Sequence, residues 1–390
     1  MGESYLDVVL QFRRLAPSLV DSYVGPAELA AQAAARPLPS LAEVGQSARS
    51  LLEAVEQHEQ DRARADWLCA QLRGIETACR WLAGAPAGYR ALVEHCHGVQ
   101  VSEVDESQFE QAHQLMAQAL PGSGPLPERF ASWRARQLVS GASLVEGLQA
   151  LTAEFRRRCR ERWQLPDAEE VVFELTRGRP WAAYHDYRGG GRSVVQVNDK
   201  LPVMAWRMGE LIAHEAYPGH HTETVCKASA LAAGRGRAEV DVWVYTTPQA
   251  LIAEGIAMLA PEILLGEEIE EIAAACLRPL GIDYDTRVSA AARRAHELLL
   301  PLRAHLALLR HDGRIDRDGM RDYARRWLLE DDIYVDRVVA NLCEQPWPPY
   351  ASCYPEGLRL CRSFVGGDLQ KFSLLLRQQV TPHALKLNAQ

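Results

Sequence analysis

The stretch GELIAHEAYPGHHTE contains three histidines and three carboxylates within fifteen residues. His214 and Glu215 begin like the H-E-x-x-H helix of zinc proteases, in which two histidines one turn apart bind zinc and the glutamate acts on the water beside it. In this chain Pro218 occupies the position of the second histidine, and the next histidines are His220 and His221. The residue types therefore predict a metal site, whereas their spacing does not fit a regular helix.

A regular helix cannot bring His214 together with either later histidine. His220 would lie about 240° around the helix and about 9 Å along its axis, and His221 about 10.5 Å along it. Because a Zn–N bond is only about 2.0–2.1 Å long, the helix must be distorted. Pro218 lacks a backbone donor, and Gly219 tolerates unusual dihedral angles. A helical bulge here would deliver His220 if it absorbs two residues and His221 if it absorbs three; we favour His220 and keep His221 as the alternative ligand or as a residue that orients substrate.

A third ligand is predicted from the apolar helical stretch ALIAEGIAML. Its carboxylate, Glu254, lies among apolar neighbours, where a charged group needs a partner such as a metal. Two imidazoles and one carboxylate suit Zn²⁺ and leave a fourth position for water, which is the arrangement of catalytic zinc sites. Glu215 is then the predicted general base.

The stretch YASCYPEG supplies a candidate for stabilising negative charge during hydrolysis. The hydroxyl of Tyr354 beside the metal would donate to the developing oxyanion. The competing interpretation is a buried aromatic side chain in a proline-rich loop. Tyr350 and Tyr245 are weaker candidates for the same role.

The elements around these residues follow a helical pattern with one short interruption. EVVFEL (170–175) and SVVQVN (193–198) are rich in β-branched residues, and Trp181–Tyr187 is a further strand candidate. These segments predict a small antiparallel sheet beside the metal-binding helix, with RGGGR as a hairpin turn. The stretch EVDVWVY alternates like a strand but also fits a helix.

Helical spacing dominates the remainder, so the predicted fold class is mainly α (α+β). Breaks rich in proline and glycine separate the helices. We expect a helical N-terminal region (1–160) and a catalytic region (161–390) that contains the sheet and further helices. The two regions are predicted to pack as one unit with a cleft between them.

The composition restricts the partners and the location. With 43 basic against 51 acidic residues, the formal net charge is −8, which argues against a nucleic-acid or anionic-membrane partner. Nine cysteines without a C-x-x-C pair are typical of reduced thiols in the cytoplasm. The first residues, MGESYLDVVLQFRR, lack the apolar run of a signal peptide, and no run approaches 18 apolar residues. We therefore expect a cytoplasmic protein that does not span a membrane.

The motif HEAYPGHH, followed downstream by AEG, resembles a bacterial domain-of-unknown-function family of predicted zinc peptidases. That family is recognised by H-E-A-x-P-G-H-H and a later E-G helix. The resemblance covers about residues 190–265 and extends more weakly to LVDSYVGP and YASCYPEGLRL. Ile256 stands where many relatives carry an aromatic residue after E-G, a departure that concerns the substrate pocket more than the metal.

The resemblance implies a gluzincin-like, mainly helical fold and a specific division of roles. Its implied base is Glu215, and its implied ligands are His214, one of His220 and His221, and Glu254.

Together these features predict a zinc-dependent hydrolase, namely a metallopeptidase that cleaves small or unfolded peptides through a metal-activated water. Two alternatives stay open at this point. One is a non-catalytic metal-binding or scaffold protein on a peptidase-like fold, which a zinc bound by both His220 and His221 without water would favour. The other is a zinc amidohydrolase that acts on a non-peptide amide, since the chemistry at the metal would be the same.

Overall fold

A computed structural model gives the structure of the chain over residues 1–179, 181–201, 203–233 and 236–388. Helices make up 68% of it and strands 8%. The predicted mainly α (α+β) fold class is confirmed.

The first part of the chain is helical, as its apolar spacing predicts. Its α-helices are α1 (Gly2–Leu15), α2 (Ala27–Ala35), α3 (Leu41–His58), α4 (Arg62–Leu82), α5 (Tyr89–His97), α6 (Ser107–Ala119), α7 (Leu126–Ala135) and α8 (Gly141–Arg162). Helices α1, α3 and α4 bury one apolar face each in a common core. Ser40 caps α3 by accepting from the backbone of Glu43, whose carboxylate accepts from the backbone of Ser40 in return.

Seven short strands interrupt the helices. They are β1 (Val20–Tyr23), β2 (Leu138–Val139), β3 (Glu170–Thr176), β4 (Ala183–Tyr187), β5 (Arg192–Asn198), β6 (Val203–Met204) and β7 (Val242–Val244), counted over the described residues. Strand β1 pairs with β7 and β2 with β6, both antiparallel. The β1–β7 pair joins the amino-terminal helices to a segment far along the chain, and Val242 and Val244 lie in the core of α1, α3 and α4.

The sheet beside the site has the order β3-β5-β4 and is mixed. Strands β4 and β5 form the predicted antiparallel hairpin, and Gly189, Gly190 and Gly191 in its turn all have positive φ, which glycine adopts without strain. The antiparallel prediction is wrong for β3, which pairs parallel with β5. In the sequence, β4 comes between β3 and β5 and runs in the opposite direction to both, so β3 and β5 are parallel. In the sheet, β4 lies at the edge, next to β5.

The second half returns to helices. They are α9 (Met208–Glu215), α10 (His220–Lys227), α11 (Pro248–Leu265), α12 (Ile269–Leu277), α13 (Thr286–Leu299), α14 (Leu302–His311), α15 (Arg317–Leu328), α16 (Asp332–Cys343), α17 (Cys353–Val365), α18 (Leu369–Arg377) and α19 (Pro382–Asn388). Aspartates at the N-caps of α13, α15, α16 and α18 accept backbone N–H groups.

Helix α11 is the central helix of this half, buried on nearly all sides. The stretch Pro248–Leu280, which begins with α11, is long and apolar enough to cross a membrane by length and composition, contrary to the expectation from runs of apolar residues. Since 67% of its apolar window is buried inside the structure, it equally fits the core helix of a soluble protein. As evidence for a membrane span it is weak.

Helices α11 and α17 approach each other through glycines. A Cβ on Gly255 would lie 2.4 Å from the carbonyl oxygen of Gly357, and a Cβ on Gly357 would lie 2.4 Å from that of Leu251. Only hydrogen fits at either position. This contact brings the start of α17, with Tyr354 in its first turn and Tyr350 just before it, to the part of α11 that carries Glu254.

Candidate metal centre

The histidine motif lies on two helices. Helix α9 ends at Glu215 and α10 begins at His220, and the peptide bond before Pro218 is cis. Gly219 passes so close to the end of α9 that a Cβ there would lie 1.8 Å from the carbonyl oxygen of His214. The chain therefore breaks between two helices instead of forming the predicted bulge within one, because a proline without a donor and a glycine without a side chain let it turn back against its own helix end.

The break brings His214 and His220 together with Glu254. The Nε2 atom of His214 lies 3.4 Å from Oε2 of Glu254, and Nε2 of His220 lies 3.8 Å from Oε1. The two imidazole rings are nearly perpendicular, with centroids 4.7 Å apart. One ligand atom from each of the three residues lies within 4.8 Å of the others.

This arrangement fits a small divalent cation. Ligands about 2.0–2.1 Å from a tetrahedral zinc lie about 3.3–3.4 Å from one another, and Nε2 of His214 lies 3.4 Å from Oε2 of Glu254. The Oε2 atom of Glu254 is buried and accepts no hydrogen bond of good geometry among the described residues. Nε2 of His214, at 3.4 Å, is its ion-pair partner, and a metal cation bound by both would satisfy this oxygen. The other oxygen accepts a hydrogen bond from the hydroxyl of Tyr350.

The pKa values of His214, Glu254 and His220 depend on one another and on burial. Burial would lower the pKa of His214, but Glu254 and Glu215 outweigh burial and raise it. Burial would raise the pKa of Glu254, but the two histidines and Tyr350 outweigh it and lower that pKa. Burial dominates at His220, whose pKa falls to about 4. A neutral His220 and an ionised Glu254 are the protonation states that bind a metal.

Glu215, the predicted base, lies at the last position of α9 and lines the cavity next to the three ligand candidates. Burial raises its pKa to about 7, and the nearby carboxylate of Glu254 adds to the shift, while His214 opposes it. A carboxyl group of this kind can both accept and release a proton near neutral pH.

His221, the alternative ligand, points away from this group. Its Nδ1 lies 2.8 Å from the hydroxyl of Ser193 and its Nε2 lies 3.1 Å from Glu169. Glu169 also accepts from Tyr217 and from Arg156. His221 is fully buried, so its role in the structure is to anchor α10 to the sheet.

His185 connects that network to the ligand group, and sequence reasoning missed it. It lies on β4, its Nε2 is 2.8 Å from the hydroxyl of Ser193, and its ring is stacked 6.0 Å from that of His220. Burial and the neighbouring histidines hold the pKa of His185 well below its usual range. In the sequence, His185 is an isolated histidine in a strand and belongs to no recognisable motif. It reaches the site only because of the order of the strands in the sheet.

A group of tyrosines covers the other side. Tyr350 and Tyr354 contact each other edge to face at 5.6 Å, and Tyr245 contacts Tyr350 at 5.1 Å. Burial raises the pKa of all three well above the usual value, with Glu254 adding to it. Tyr350, predicted as the weaker candidate, is the one bonded to Glu254, while Tyr354 lines the cavity beside it.

Asp21 on β1 is a second residue that sequence reasoning did not identify. It accepts from the hydroxyls of Tyr184 and Tyr245, and burial raises its pKa to about 7. The signal in the sequence was the stretch LVDSYVGP, which pairing of β1 with β7 brings to the site.

The three ligand candidates, Glu215, His185, Asp21 and the tyrosines of the site border one cavity of about 940 Å³, whereas His221 and its partners do not. One wall is lined by Trp181–His185 and Tyr187, from the edge strand β4 and the residues before it. Helices α13, α14 and α16 contribute another wall, which carries Arg293, Arg303 and Arg337. A volume of this size accommodates a short peptide rather than a folded chain.

Comparison with known proteins shows the fold alone. No family model and no curated protein matches the chain. Among solved structures, it is similar to one described as "the putative lipoprotein from Colwellia psychrerythraea", with a TM-score of 0.55 and 17% identity over 89% of this chain and 66% of that one. It is also similar to "a putative lipoprotein of unknown function from Shewanella oneidensis", with a TM-score of 0.53 and 12% identity over 90% of this chain and 73% of that one. The chain thus spans slightly less than two thirds of the first protein.

Proposed function

We propose that this protein is a zinc-dependent metallopeptidase that cleaves small or unfolded peptides. The observation that carries the proposal is the approach of His214, His220 and Glu254 to within 4.8 Å, with a buried oxygen of Glu254 that accepts no hydrogen bond of good geometry among the described residues. The resemblance of HEAYPGHH and AEG to a family of predicted zinc peptidases supports the same assignment.

Zinc at such a site activates water as a nucleophile and polarises the carbonyl group that is attacked. Glu215 is the base that accepts the proton of the attacking water and passes it to the leaving amine. Burial raises the pKa of Glu215, which favours uptake of the proton, whereas the charge of a bound zinc ion would lower it and favour release.

Tyr354 is the proposed donor to the oxyanion of the tetrahedral intermediate. Because burial and Glu254 raise its pKa, the phenol keeps its proton at neutral pH and remains a donor. Tyr350 has a different task, since its hydroxyl is committed to Glu254 and holds that carboxylate in place.

The peptide is proposed to lie along β4. This strand is the outer strand of its sheet, and its residues line the cavity. An extended peptide can add to such an edge through main-chain hydrogen bonds, which would place its backbone beside His185.

Two other proposals are kept. A zinc amidohydrolase that acts on a non-peptide amide would use the same residues, and a non-catalytic metal-binding protein would keep the ligands without turnover.

For location we propose the cytoplasm, because none of the nine cysteines, all within the described residues, forms a disulfide. Fractionation of cells that express the full-length protein tests this, and membrane or extracellular recovery would contradict it.

The test of function combines metal content with turnover. Elemental mass spectrometry of purified protein should find about one zinc per chain, and Glu254→Ala should lose it. Glu215→Gln should retain zinc but lose hydrolysis of a peptide library followed by mass spectrometry. No metal uptake by the wild-type protein, or full turnover by Glu215→Gln, would refute the proposal.

A further inference from the structure

The arginines that line the cavity fall into two groups. Three are paired with carboxylates: Arg134 with Glu330, Arg293 with Glu270 at 2.7 Å, and Arg362 with Glu297 at 2.6 Å. The other three are Arg207, Arg303 and Arg337. Within the described part of the chain, Arg207 has only Glu210 at 3.9 Å, and neither Arg303 nor Arg337 has a carboxylate within 4.0 Å.

Arg303 on α14 is the more notable of the two that have no carboxylate partner among the described residues. Its Nη2 donates to the hydroxyl of Tyr334 at 2.5 Å, and its guanidinium lies 5.6 Å from the centre of the same ring. That bond uses one of five N–H donors, and no other hydrogen bond from this side chain is formed among the described residues. The remaining donors are not buried, and Arg303 lines the cavity, so these donors can bind an anion that enters it.

The pKa values of two residues near Arg303 indicate a positive electrostatic potential on this wall of the cavity. The pKa of Tyr334 is lowered by Arg303 first, with Arg207 and Arg337 adding to the effect. The pKa of His296 falls to about 3, chiefly through burial and further through Arg207 and Arg303. His296 is therefore neutral at pH 7 and leaves the positive charge of the wall to the arginines.

This wall is close to the proposed reaction site. Burial raises the pKa of Tyr354 most, Glu254 and Glu215 add to the rise, and Arg303 opposes it. Arg303, Tyr354 and the ligand group all border the same cavity.

We propose that Arg303, with Tyr334, forms a carboxylate subsite that binds the free C-terminus of a peptide and so makes the enzyme act near that end. A guanidinium matches a carboxylate with two parallel hydrogen bonds, which fixes orientation as well as charge. This inference rests on the proposed peptidase function and adds the substrate class, namely short peptides with a free C-terminal carboxylate. An acidic side chain is the other source of the same chemical group.

The test uses three N-acetylated peptides of one sequence. The first ends in a carboxylate, the second in a carboxamide, and the third in a carboxamide after an added glutamate. For the wild-type protein we expect kcat/KM for the first to exceed that for the second by about 10- to 100-fold, the range of a charge-assisted hydrogen bond. Arg303→Gln should abolish the preference and Arg303→Lys should retain part of it.

Arg362→Gln is the matched control, because Arg362 lines the same cavity but is already neutralised by Glu297 and Glu262. It should keep the preference for the acid. If the third peptide is cleaved as well as the first, the carboxylate comes from a side chain and the C-terminal assignment is overturned. Equal cleavage of all three peptides would overturn the subsite while leaving the peptidase function intact.

A binding measurement separates the two proposals. Calorimetry with the Glu215→Gln protein compares the affinities of the first and second peptides without turnover. A preference for the acid that Arg303→Gln removes supports the subsite even if no variant cleaves peptides, which would refute only the peptidase function. Equal affinity, or no binding of either peptide, overturns the subsite.

Discussion

Replacing Gly219 with alanine tests the main-chain contact on which the candidate metal centre depends. The added Cβ would lie 1.8 Å from the carbonyl oxygen of His214 and 2.5 Å from that of Ala213, whereas such contacts are essentially never shorter than 3.0 Å. The end of α9 and the start of α10 would therefore have to separate by about 1.2 Å. Both contacts are to backbone atoms, which cannot rotate away as a side chain would.

The separation acts on both stability and metal binding. Overpacking of this kind costs about 1–3 kcal/mol or somewhat more in the free energy of unfolding. Metal–ligand distances tolerate only about 0.2 Å. A shift of His220 away from His214 should therefore lower zinc affinity by about 100-fold, the upper end of the loss seen when a group that orients a ligand is removed.

Urea unfolding and a zinc competition titration measure the two effects. Gly45→Ala is the matched control, since Gly45 lies within α3 and its Cβ would meet only the Cβ of Cys79, at 3.4 Å. That change should be neutral or stabilising by up to about 1 kcal/mol, the usual gain for alanine over glycine in a helix. Wild-type zinc affinity and stability in Gly219→Ala would refute the reasoning.

Three further predictions concern the neighbours of the site. His220→Asn should abolish zinc binding in elemental analysis, whereas His221→Asn should keep one zinc per chain and lose about 1–3 kcal/mol of stability in urea; zinc loss in the second variant alone would contradict the assignment. Burial would raise the pKa of Glu169, but its hydrogen bonds outweigh burial and lower the pKa to about 2. The ionised carboxylate therefore stabilises the fold fully above its unfolded pKa near 4.5. This stabilisation is lost as the pH falls from 4.5 toward 2. Glu169→Gln should therefore cost roughly 2–3 kcal/mol at pH 7 and flatten the dependence of unfolding on pH between 4.5 and 2, and an unchanged acid profile would count against it. Tyr350→Phe removes the hydrogen bond to Glu254 and should weaken zinc binding by about 10- to 100-fold, so unaltered affinity in a competition titration would show that the bond does not position the ligand.

The candidate ligands were accessible from the sequence because each carried a local signal. Glu254 stands out as a carboxylate in an apolar helix, and His214 is followed by a glutamate as in zinc proteases. The choice between His220 and His221 was harder, since helical phase loses its meaning once the helix ends. The structure places His220 with the other two because α10 starts a new helix, whose direction is set by the turn at Gly219.

Other features of the site depend on contacts that no local pattern encodes. Asp21 and Tyr184 are 163 residues apart in the chain, and Arg303 reaches the cavity only through the packing of α14. The pairing direction of β3 was predicted wrongly for the same reason. Adjacent strands were assumed to form one antiparallel unit, but β5 lies between β3 and β4 and is parallel to β3.

Two sets of glycine contacts set main-chain distances around the site. Gly219 sets how closely the helix of His214 approaches that of His220, and Gly255 with Gly357 sets how closely α11, which carries Glu254, approaches α17, which carries Tyr354. Both are contacts to main-chain atoms, so these two distances do not depend on the functional side chains themselves. A change at a ligand should then remove the metal and leave the fold, whereas a methyl group at any of these glycines should disturb both.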